Sequence, residues 1–493
     1  MCGLALLFGT GEAAAQSPSL KTYTVDPNQI SVSGISSGAS LAHQLHIAYS
    51  SVIRGAGLLA AAPYACAKGN LNRAMQVCSS FISPYQGPPD VNELVQLTRS
   101  EFQAKHIDDP ANLADDRVYL FRGAKDRYVP ESAMDQVQQY YIKMGVRPEN
   151  IFYQKTVPAD HAMVTADYGN ACDAFGSPYI NNCGNQAPAD ADTAGILLQQ
   201  IYGNLVKPNA SPPQGQMLEF SQAEFVADPA KISMDTVGHV YVPNNCASGT
   251  RCKLHIAIHG CEQNDDQIQS AFYTHAGYNR WADANDIIVI YPQVQKSPTT
   301  PYNPSGCWDW WGYTNQQDYY RKSGKQMAAV RAMIARVTGD ENGGPPVVTC
   351  ENPRVSGNSV TLGCSASGAR PIASYHIVIT GPSPKDETLP GGPNFSKQYA
   401  NLADGQYTAE VTATDDQDQD SVPDIKPFSI PSDKVCFTET NGTHVTAGRA
   451  HRCGFFNLFY CANGSNDALG FFQGTTTSLQ QTAPGNWTKV PGC

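Results

Sequence analysis

The stretch Gly34-Ile35-Ser36-Ser37-Gly38 places the tightest limit on how this chain can fold. It follows a short β-like run, Ile30 to Ser33, and opens an amphipathic helix-like segment, Ala39 to Tyr49. A serine between two glycines at a strand-to-helix junction is the pattern of a nucleophile elbow. The glycines let the backbone turn sharply, the Ser36 Oγ stays exposed at the tip, and the Ser37 N–H can face a developing oxyanion. With 42 glycines among 493 residues the pattern alone is weak, and a serine-rich turn is the bland alternative. Its context decides.

From Gln16 to about Val206, strand-like runs such as Val118 to Phe121 and Ile151 to Gln154 alternate with helical segments. After a Pro/Gly-rich polar joint at 207–216 the alternation resumes, with runs at Val240 to Pro243, Lys253 to His259 and Ile287 to Tyr291 and helices around Gln267 to Asn285 and Ser323 to Val337. Strands alternating with helices predict an α/β fold on a mainly parallel sheet. An activated serine needs a base, and the base needs an acid to fix its tautomer, both from loops after later strands in the order Ser, Asp, His. Asp126 ends one strand-like run in Gly123-Ala124-Lys125-Asp126, and His161 follows the next in Ala159-Asp160-His161. Both have ordinary alternatives. Asp108, Asp109, Asp115 and Asp116 show how common surface-turn aspartates are here, and His43 and His46, on the helix after the elbow, read as packing or solvent-facing histidines.

The run Ile256 to Ile258 ends in His259-Gly260-Cys261, and a His-Gly turn supplies the second oxyanion N–H in sheets of this kind, where it normally precedes the nucleophile. Here it comes after Ser, Asp and His. A circular permutation accounts for the order: the sheet is complete, but the chain enters it at the nucleophile strand and joins the former termini through 207–216. A disulfide between Cys261 and Cys307 would hold the turn against the aromatic stretch Trp308 to Trp311, which either walls the site or is simply core.

Length predicts roughly three domains. Composition shifts near Asn342 to Pro346, after which short alternating strands between Gly, Pro and Asp turns predict a small β-sandwich of immunoglobulin or fibronectin type III character. The last segment is dense in Cys and in aromatics, among them Phe455, Phe456, Phe459, Tyr460, Phe471, Phe472 and Trp487; a segment of about 60 residues needs staples to fold. The expected layout is 1–15 signal-peptide remnant, 16–340 catalytic, 347–431 sandwich and 433–493 binding module. Setting aside Cys2, fourteen cysteines remain, mostly in close pairs and without a C-x-x-C spacing, so disulfides in an exported protein are favoured over zinc or redox chemistry, although sequence leaves their connectivity open. Leu4 to Phe8 followed by Ala13-Ala14-Ala15 reads as a clipped signal peptide, and a disordered cytosolic start is its alternative. A net charge of -11 with 16% charged residues argues against nucleic acid as a partner, and no apolar run reaches the length of a membrane span.

Taken together, GISSGA, GAKDRYVP, PADHAM, GSPYINNCGN, LHIAIHGCEQ and NPSGCWDWWGY resemble the secreted poly(3-hydroxybutyrate) depolymerase family in its circularly permuted α/β-hydrolase form, over roughly Gln16 to Val337. The resemblance implies a catalytic triad of Ser36, Asp126 and His161, an oxyanion hole from the Ser37 and Cys261 N–H groups, and a substrate crevice lined by Asn303 and Trp308. It further implies a secreted serine esterase without metal or organic cofactor, acting as a monomer on an insoluble polyester, with linker and polymer-binding domains after the catalytic one. A feruloyl or acetylxylan esterase on the same scaffold would carry the same triad, and a secreted, non-catalytic polymer-binding protein could share the sandwich and the terminal module.

Overall fold

The computed structural model describes residues 17–493 apart from 185–190, 210, 227, 315–316, 341–345, 368–369, 417–418, 431–434, 454–458 and 484. The signal-peptide expectation at 1–15 and the aromatics Phe455 and Phe456 therefore lie outside the described residues. The chain divides into two compact units. The first runs to Val347 and takes in Ser367–Ala373 and Ala413–Val422; the second holds Val348–Ala366, Ser374–Thr412 and Pro423–Cys493.

The first unit is built on β1 (Val25–Ile35), β2 (Gly55–Leu59), β3 (Arg117–Phe121), β4 (Ile151–Gln154), β5 (Met163–Thr165), β6 (Asn170–Ala171), β7 (Ile180–Asn182), β8 (Gln216–Ser221), β9 (Val237–Val242), β10 (Cys252–Ile258) and β11 (Ile287–Tyr291). Eight of these form one sheet in the order β4-β3-β2-β1-β10-β11-β9-β8, and β5, β6 and β7 form a small separate sheet. The large sheet is parallel from β4 to β11. It turns antiparallel at β9 and β8. Strand β11 is buried on both faces: Ile288 and Ile290 join one apolar core, while Ile287, Val289 and Tyr291 join the other. That period of two explains why the central strands read as unbroken apolar runs. Each such side chain contributes about 1.5–3 kcal/mol by burial.

The topology bears out the permutation. Strands β1 to β4 make one side of the sheet and β8 to β11 the other, and the two blocks meet where β1 pairs with β10, Gly34 opposite Ile258. The chain's early segment lies against the last helix of the unit, Lys325–Thr338: Tyr23 N–H donates to Val337 O at 2.9 Å, and Thr22 Oγ1 donates to Arg336 O at 2.8 Å. An unpermuted chain would be continuous at that place. One local expectation fails. Instead of one helix around Gln267 to Asn285 there are three short ones, Asp265–Ile268, Ala271–His275 and Tyr278–Ala284, interrupted where Gln269 and Gly277 take positive φ of 51° and 95°. No helix among the described residues is long and apolar enough to cross a membrane.

Beyond Val347, Ile372–Thr380 and Gly405–Asp415 alternate buried and solvent-facing residues along their length, as half-buried strands must. They pair with Lys385–Pro390 and Asp424–Ile430 in one four-stranded sheet; Val347–Cys350, Arg354–Ser356, Ser359–Ser367 and Asn394–Tyr399 make another. The terminal segment forms two three-stranded sheets over a small core of Tyr460, Leu469, Leu479 and Trp487. Phe471 and Phe472 stay exposed. All fourteen cysteines expected to pair do so: Cys66 with Cys78, Cys172 with Cys183, Cys246 with Cys252, Cys261 with Cys307, Cys350 with Cys364, Cys436 with Cys493 and Cys453 with Cys461.

Candidate active site

Ser36 stands between the end of β1 and a helix, α1 (Ser37–Ala48). Its backbone adopts φ 57° and ψ -120°, a conformation that costs a non-glycine residue about 1–3 kcal/mol and is retained where the surroundings impose it. The surroundings here are tight. A Cβ on Gly34 would come 2.4 Å from the Gly38 carbonyl, and one on Gly38 would come 2.2 Å from His259 O. The flanking glycines are thus required for close approach of strand, helix and the His259 turn, while the unusual backbone angles fall on the serine itself.

Asp126 and His161 come from the loops after β3 and β4. His161 Nδ1 donates to Asp126 Oδ2 at 2.9 Å, and Asp126 Oδ1 accepts the N–H groups of Tyr128 and Val129, each at 2.9 Å. Arg122 fastens the Asp126 loop by donating to the carbonyls of Ala124, Asp126 and Val129. The Ala124 and Lys125 N–H groups donate to Val157 O and Ala159 O, tying this loop to the one that carries His161. Asp160, which motif reasoning passed over, braces that loop from behind: its Oδ1 accepts the His161 N–H at 2.7 Å and its Oδ2 accepts Arg127 Nη2 at 2.6 Å. The only sequence signal for it was its place beside His161.

Burial disfavours the charged form of His161, but the Asp126 charge and hydrogen bond outweigh it, with Asp160 adding to them, so the imidazole pKa is raised above its ordinary value. For Asp126 burial likewise opposes ionisation. The His161 partnership and the two backbone N–H groups prevail, and its pKa is lowered. The pair is an imidazole held in one tautomer by a buried carboxylate, with Nε2 left for work. Ser36 and His161 line the same cavity without closing a hydrogen bond; in resting hydrolases such bonds are often long and tighten as substrate binds.

The opposite wall comes from the end of β10. Gly260 N–H donates to Gln263 Oε1 at 2.9 Å, and Gln263 Nε2 donates to Tyr179 O at 3.0 Å. His259 is buried, which pulls its pKa down to about 4, so the neutral ring donates from Nδ1 to Gly260 O at 2.7 Å. In a trans peptide the C=O and the following N–H point in opposite directions, so fixing Gly260 O aims the Cys261 N–H the other way. Among the described residues neither the Ser37 nor the Cys261 N–H donates to a protein acceptor. The Cys261–Cys307 disulfide sulfur carries no proton, so at the 3.3 Å contact between Ser37 Oγ and Cys261 Sγ the hydroxyl is the donor; the same Oγ accepts the Trp308 N–H at 3.2 Å. These contacts lock the start of α1 to the disulfide.

The cavity between the two walls has a volume of about 650 Å³, in the usual range for a small-molecule site. Its surface is mainly apolar and rich in aromatics, with Phe81, Tyr128, Phe175, Trp310, Trp311 and Tyr313 among its lining residues. Phe81 stacks on Tyr128 at 4.4 Å, and both rings meet His161 edge-on. Of these six only the two tryptophans stand out in the sequence as wall residues, although Tyr128 and Tyr313 lie within GAKDRYVP and NPSGCWDWWGY. Asn303 lines the cavity, but its side chain is fully engaged in the fold, its two N–H groups shared among Ser233 Oγ, Cys307 O and Tyr313 OH and its Oδ1 accepting the Cys307 N–H. Trp308 is not brought to the wall. Its ring is fully buried against His259, with centroids 5.6 Å apart, because the Cys307 bridge and the Trp308 N–H to Ser37 bond fix its backbone behind the site. Among the described residues no cluster of three or more His, Cys, Asp or Glu could hold a metal ion.

No family model matches the chain. It is 36% identical over 509 residues to the poly(3-hydroxybutyrate) depolymerase of Delftia acidovorans, covering 98% of this chain and 95% of that protein. It is also 36% identical over 349 residues to the polyhydroxybutyrate depolymerase of Talaromyces funiculosus, covering 68% of this chain and 96% of the other. The crystal structure of the PHB depolymerase from Penicillium funiculosum covers 65% of this chain and 99% of its own, at 34% identity and a TM-score of 0.58. A serine-to-alanine variant of a PHB depolymerase complexed with an R3HB trimer gives the same values.

Proposed function

The chain belongs to the poly(3-hydroxybutyrate) depolymerase family, and from that premise we propose that it hydrolyses the ester bonds of poly(3-hydroxybutyrate) through an acyl-serine on Ser36. One observation carries the reading: the Asp126-held imidazole of His161 shares an apolar cavity with Ser36 and with the Cys261 end of a turn whose N–H is free. Ser36 Oγ attacks the ester carbonyl while His161 Nε2 takes its proton, and Asp126 stabilises the imidazolium at Nδ1. The tetrahedral oxyanion is received by the Ser37 and Cys261 N–H groups, donors already in place before charge develops. Collapse passes the proton from Nε2 to the departing oxygen, releasing a hydroxyl-ended fragment. Water then gives a proton to Nε2 as it attacks acyl-Ser36, and the serine hydroxyl is restored as the acid leaves.

The aromatic wall accommodates uncharged methyl-bearing ester units. In this reading residues 16–340 catalyse, 347–431 form a spacer sandwich and 433–493 bind the polymer, where Phe471 and Phe472 are available. Adsorption raises the local concentration of a substrate that cannot diffuse to the enzyme. Seven disulfides support work outside the cell, and because one chain holds the whole site, a monomer suffices.

The test is turbidity clearing of a poly(3-hydroxybutyrate) suspension by the wild type and by Ser36→Ala, with feruloylated and acetylated xylan assayed in parallel. We expect clearing by the wild type and none by the variant. Ferulate or acetate release without clearing would overturn the polyester assignment.

A further inference from the structure

Glu262 is the only carboxylate among the described residues that line the cavity, and the lining includes no lysine or arginine. It follows Cys261, the proposed oxyanion donor, directly. Its backbone sits in the left-handed region at φ 61°, an uncommon place for a glutamate. Two hydroxyls fix the side chain: Tyr179 OH donates to Oε2 at 2.6 Å, and Ser305 Oγ lies 3.5 Å from Oε1. Tyr179 is itself left-handed at φ 55°, so both partners of the stronger bond hold strained backbones at the edge of the cavity. No cation among the described residues comes within ion-pair distance of Glu262. A carboxylate without a counter-charge, placed by strained backbone in a lining whose other polar side chains are neutral or the His161 imidazole, adds nothing to the packing that a neutral residue could not supply.

We propose that Glu262 is a specificity-determining charge that repels carboxylates from the cavity. It disfavours rebinding of the acidic product and steers the site toward the uncharged ester units of the chain. The inference rests on the ester-hydrolase reading above. Hydrolysis of the acyl-serine turns a neutral ester carbonyl into a carboxylic acid that loses its proton near neutral pH. The new anion forms at the carbonyl bound by the Cys261 N–H, one residue from Glu262. A fixed negative charge there leaves the neutral substrate unaffected and raises the free energy of the bound product, which shortens its stay; it opposes the transient oxyanion too, but that anion is met by the Ser37 and Cys261 N–H groups. The cavity is open to solvent, so the effect is moderate and salt-sensitive.

The experiment compares two small inhibitors of p-nitrophenyl butyrate hydrolysis, 3-hydroxybutyrate and its neutral analogue 3-hydroxybutyramide. The readout is the ratio of their inhibition constants, anion over amide. In Glu262→Gln, which keeps an acceptor for Tyr179 OH and removes the charge, we expect the ratio to fall about 3- to 7-fold, the effect of one unit charge several ångströms away in a half-solvated site. In 1 M NaCl the wild-type ratio should drop toward that of the variant. Tyr179→Phe removes the tether but keeps the charge and should leave most of the wild-type ratio in place. A ratio unmoved by Glu262→Gln overturns the proposal, as does an equal fall in Tyr179→Phe, since either outcome makes Glu262 only a strut for the Tyr179 loop. Because the reporter is a soluble ester, a failure to clear polymer breaks the substrate assignment without touching this ratio.

Discussion

Two serine–histidine constellations touch the same strand of this protein. At the end of β1, Ser36 shares a cavity with His161; within β1, Ser31 Oγ and Ser33 Oγ bond the two ring nitrogens of His255, each at 2.7 Å. By distance alone the His255 group is closer to a working dyad than the His161 group. The difference lies in what surrounds them. His161 has a carboxylate at Nδ1, and its pKa is raised despite burial. His255 meets only hydroxyls, so burial alone governs it and pulls its pKa down to about 3. It faces no cavity. Tyr202 OH bonds Ser31 Oγ at 2.6 Å and Tyr278 OH bonds Ser33 Oγ at 2.8 Å, so the network is closed on itself. A carboxylate, an open cavity and unpaired N–H donors separate a site from a satisfied core.

The comparison breaks most visibly if the carboxylate is removed. Asp126→Asn should lower kcat/KM on p-nitrophenyl butyrate by about 10³–10⁴-fold, the scale known for the equivalent change in a serine protease. The pH profile carries the sharper information. In the proposed mechanism hydrolysis needs neutral His161, so activity should be present above its pKa and lost as pH falls through it. With that pKa raised, the wild-type acid limb lies above pH 6.5. Without the Asp126 charge, burial pulls the pKa down, and the residual activity of the variant should persist to lower pH. An acid limb that stays in place would mean that Asp126 does not set the His161 proton affinity.

Next in size is the effect of acid on stability. His43, His255 and His259 are buried neutral, with pKa values drawn down by burial to about 3, 3 and 4. Between those values and 6.5 the unfolded chain binds protons that the folded chain refuses, so stability falls as pH falls through this window, by roughly 1 kcal/mol per pH unit for each histidine. His161 has the opposite sign: its contribution is full below 6.5 and is lost as pH rises through its raised value. Urea unfolding at pH 4, 5, 6 and 7 checks this. In His255→Gln the slope of stability against pH should shrink by about one proton between pH 6 and 4. An unchanged slope would show that His255 titrates normally in the folded protein.

The two constellations also differ in how far the sequence disclosed them. Ser36, Asp126 and His161 were legible because each sits at a strand end, where a short motif fixes local geometry whatever the rest of the chain does. The sheet and its permuted order were legible from apolar runs and from a His-Gly turn in the wrong half. The network around His255 was not, because Tyr202 and Tyr278 reach β1 from separate helices 171 and 245 residues away from their serine partners. The cavity wall was only partly legible. Trp308, Trp310 and Trp311 are equivalent in sequence, and which of them faces inward is decided by the Cys261–Cys307 bridge and by the hydroxyl of Ser37. Phe81 and Phe175 carried no pattern at all. Phe81 meets His161 and Phe175 meets Tyr128 only because the segments after β2 and β6 fold toward the site, a tertiary fact with no local signature.

The smallest predicted effect sharpens the comparison most, because the same substitution three residues apart on one segment should have opposite consequences. Ser36→Ala abolishes turnover but leaves stability near that of the wild type, since the Ser36 hydroxyl holds nothing together. Ser33→Ala strips a partner from both His255 Nε2 and Tyr278 OH in a place that water does not reach. Leaving buried polar atoms unpaired should cost about 1–3 kcal/mol, or a few degrees in melting temperature for a domain of this size. Activity on p-nitrophenyl butyrate should stay within twofold, since the Ser36 elbow is held by Gly34, Gly38 and the Leu59 carbonyl rather than by the buried network. Melting curves and rates on the two variants decide it. A loss of turnover in Ser33→Ala at unchanged stability would mean that the buried serine–histidine network reaches the elbow, and that the two constellations are one.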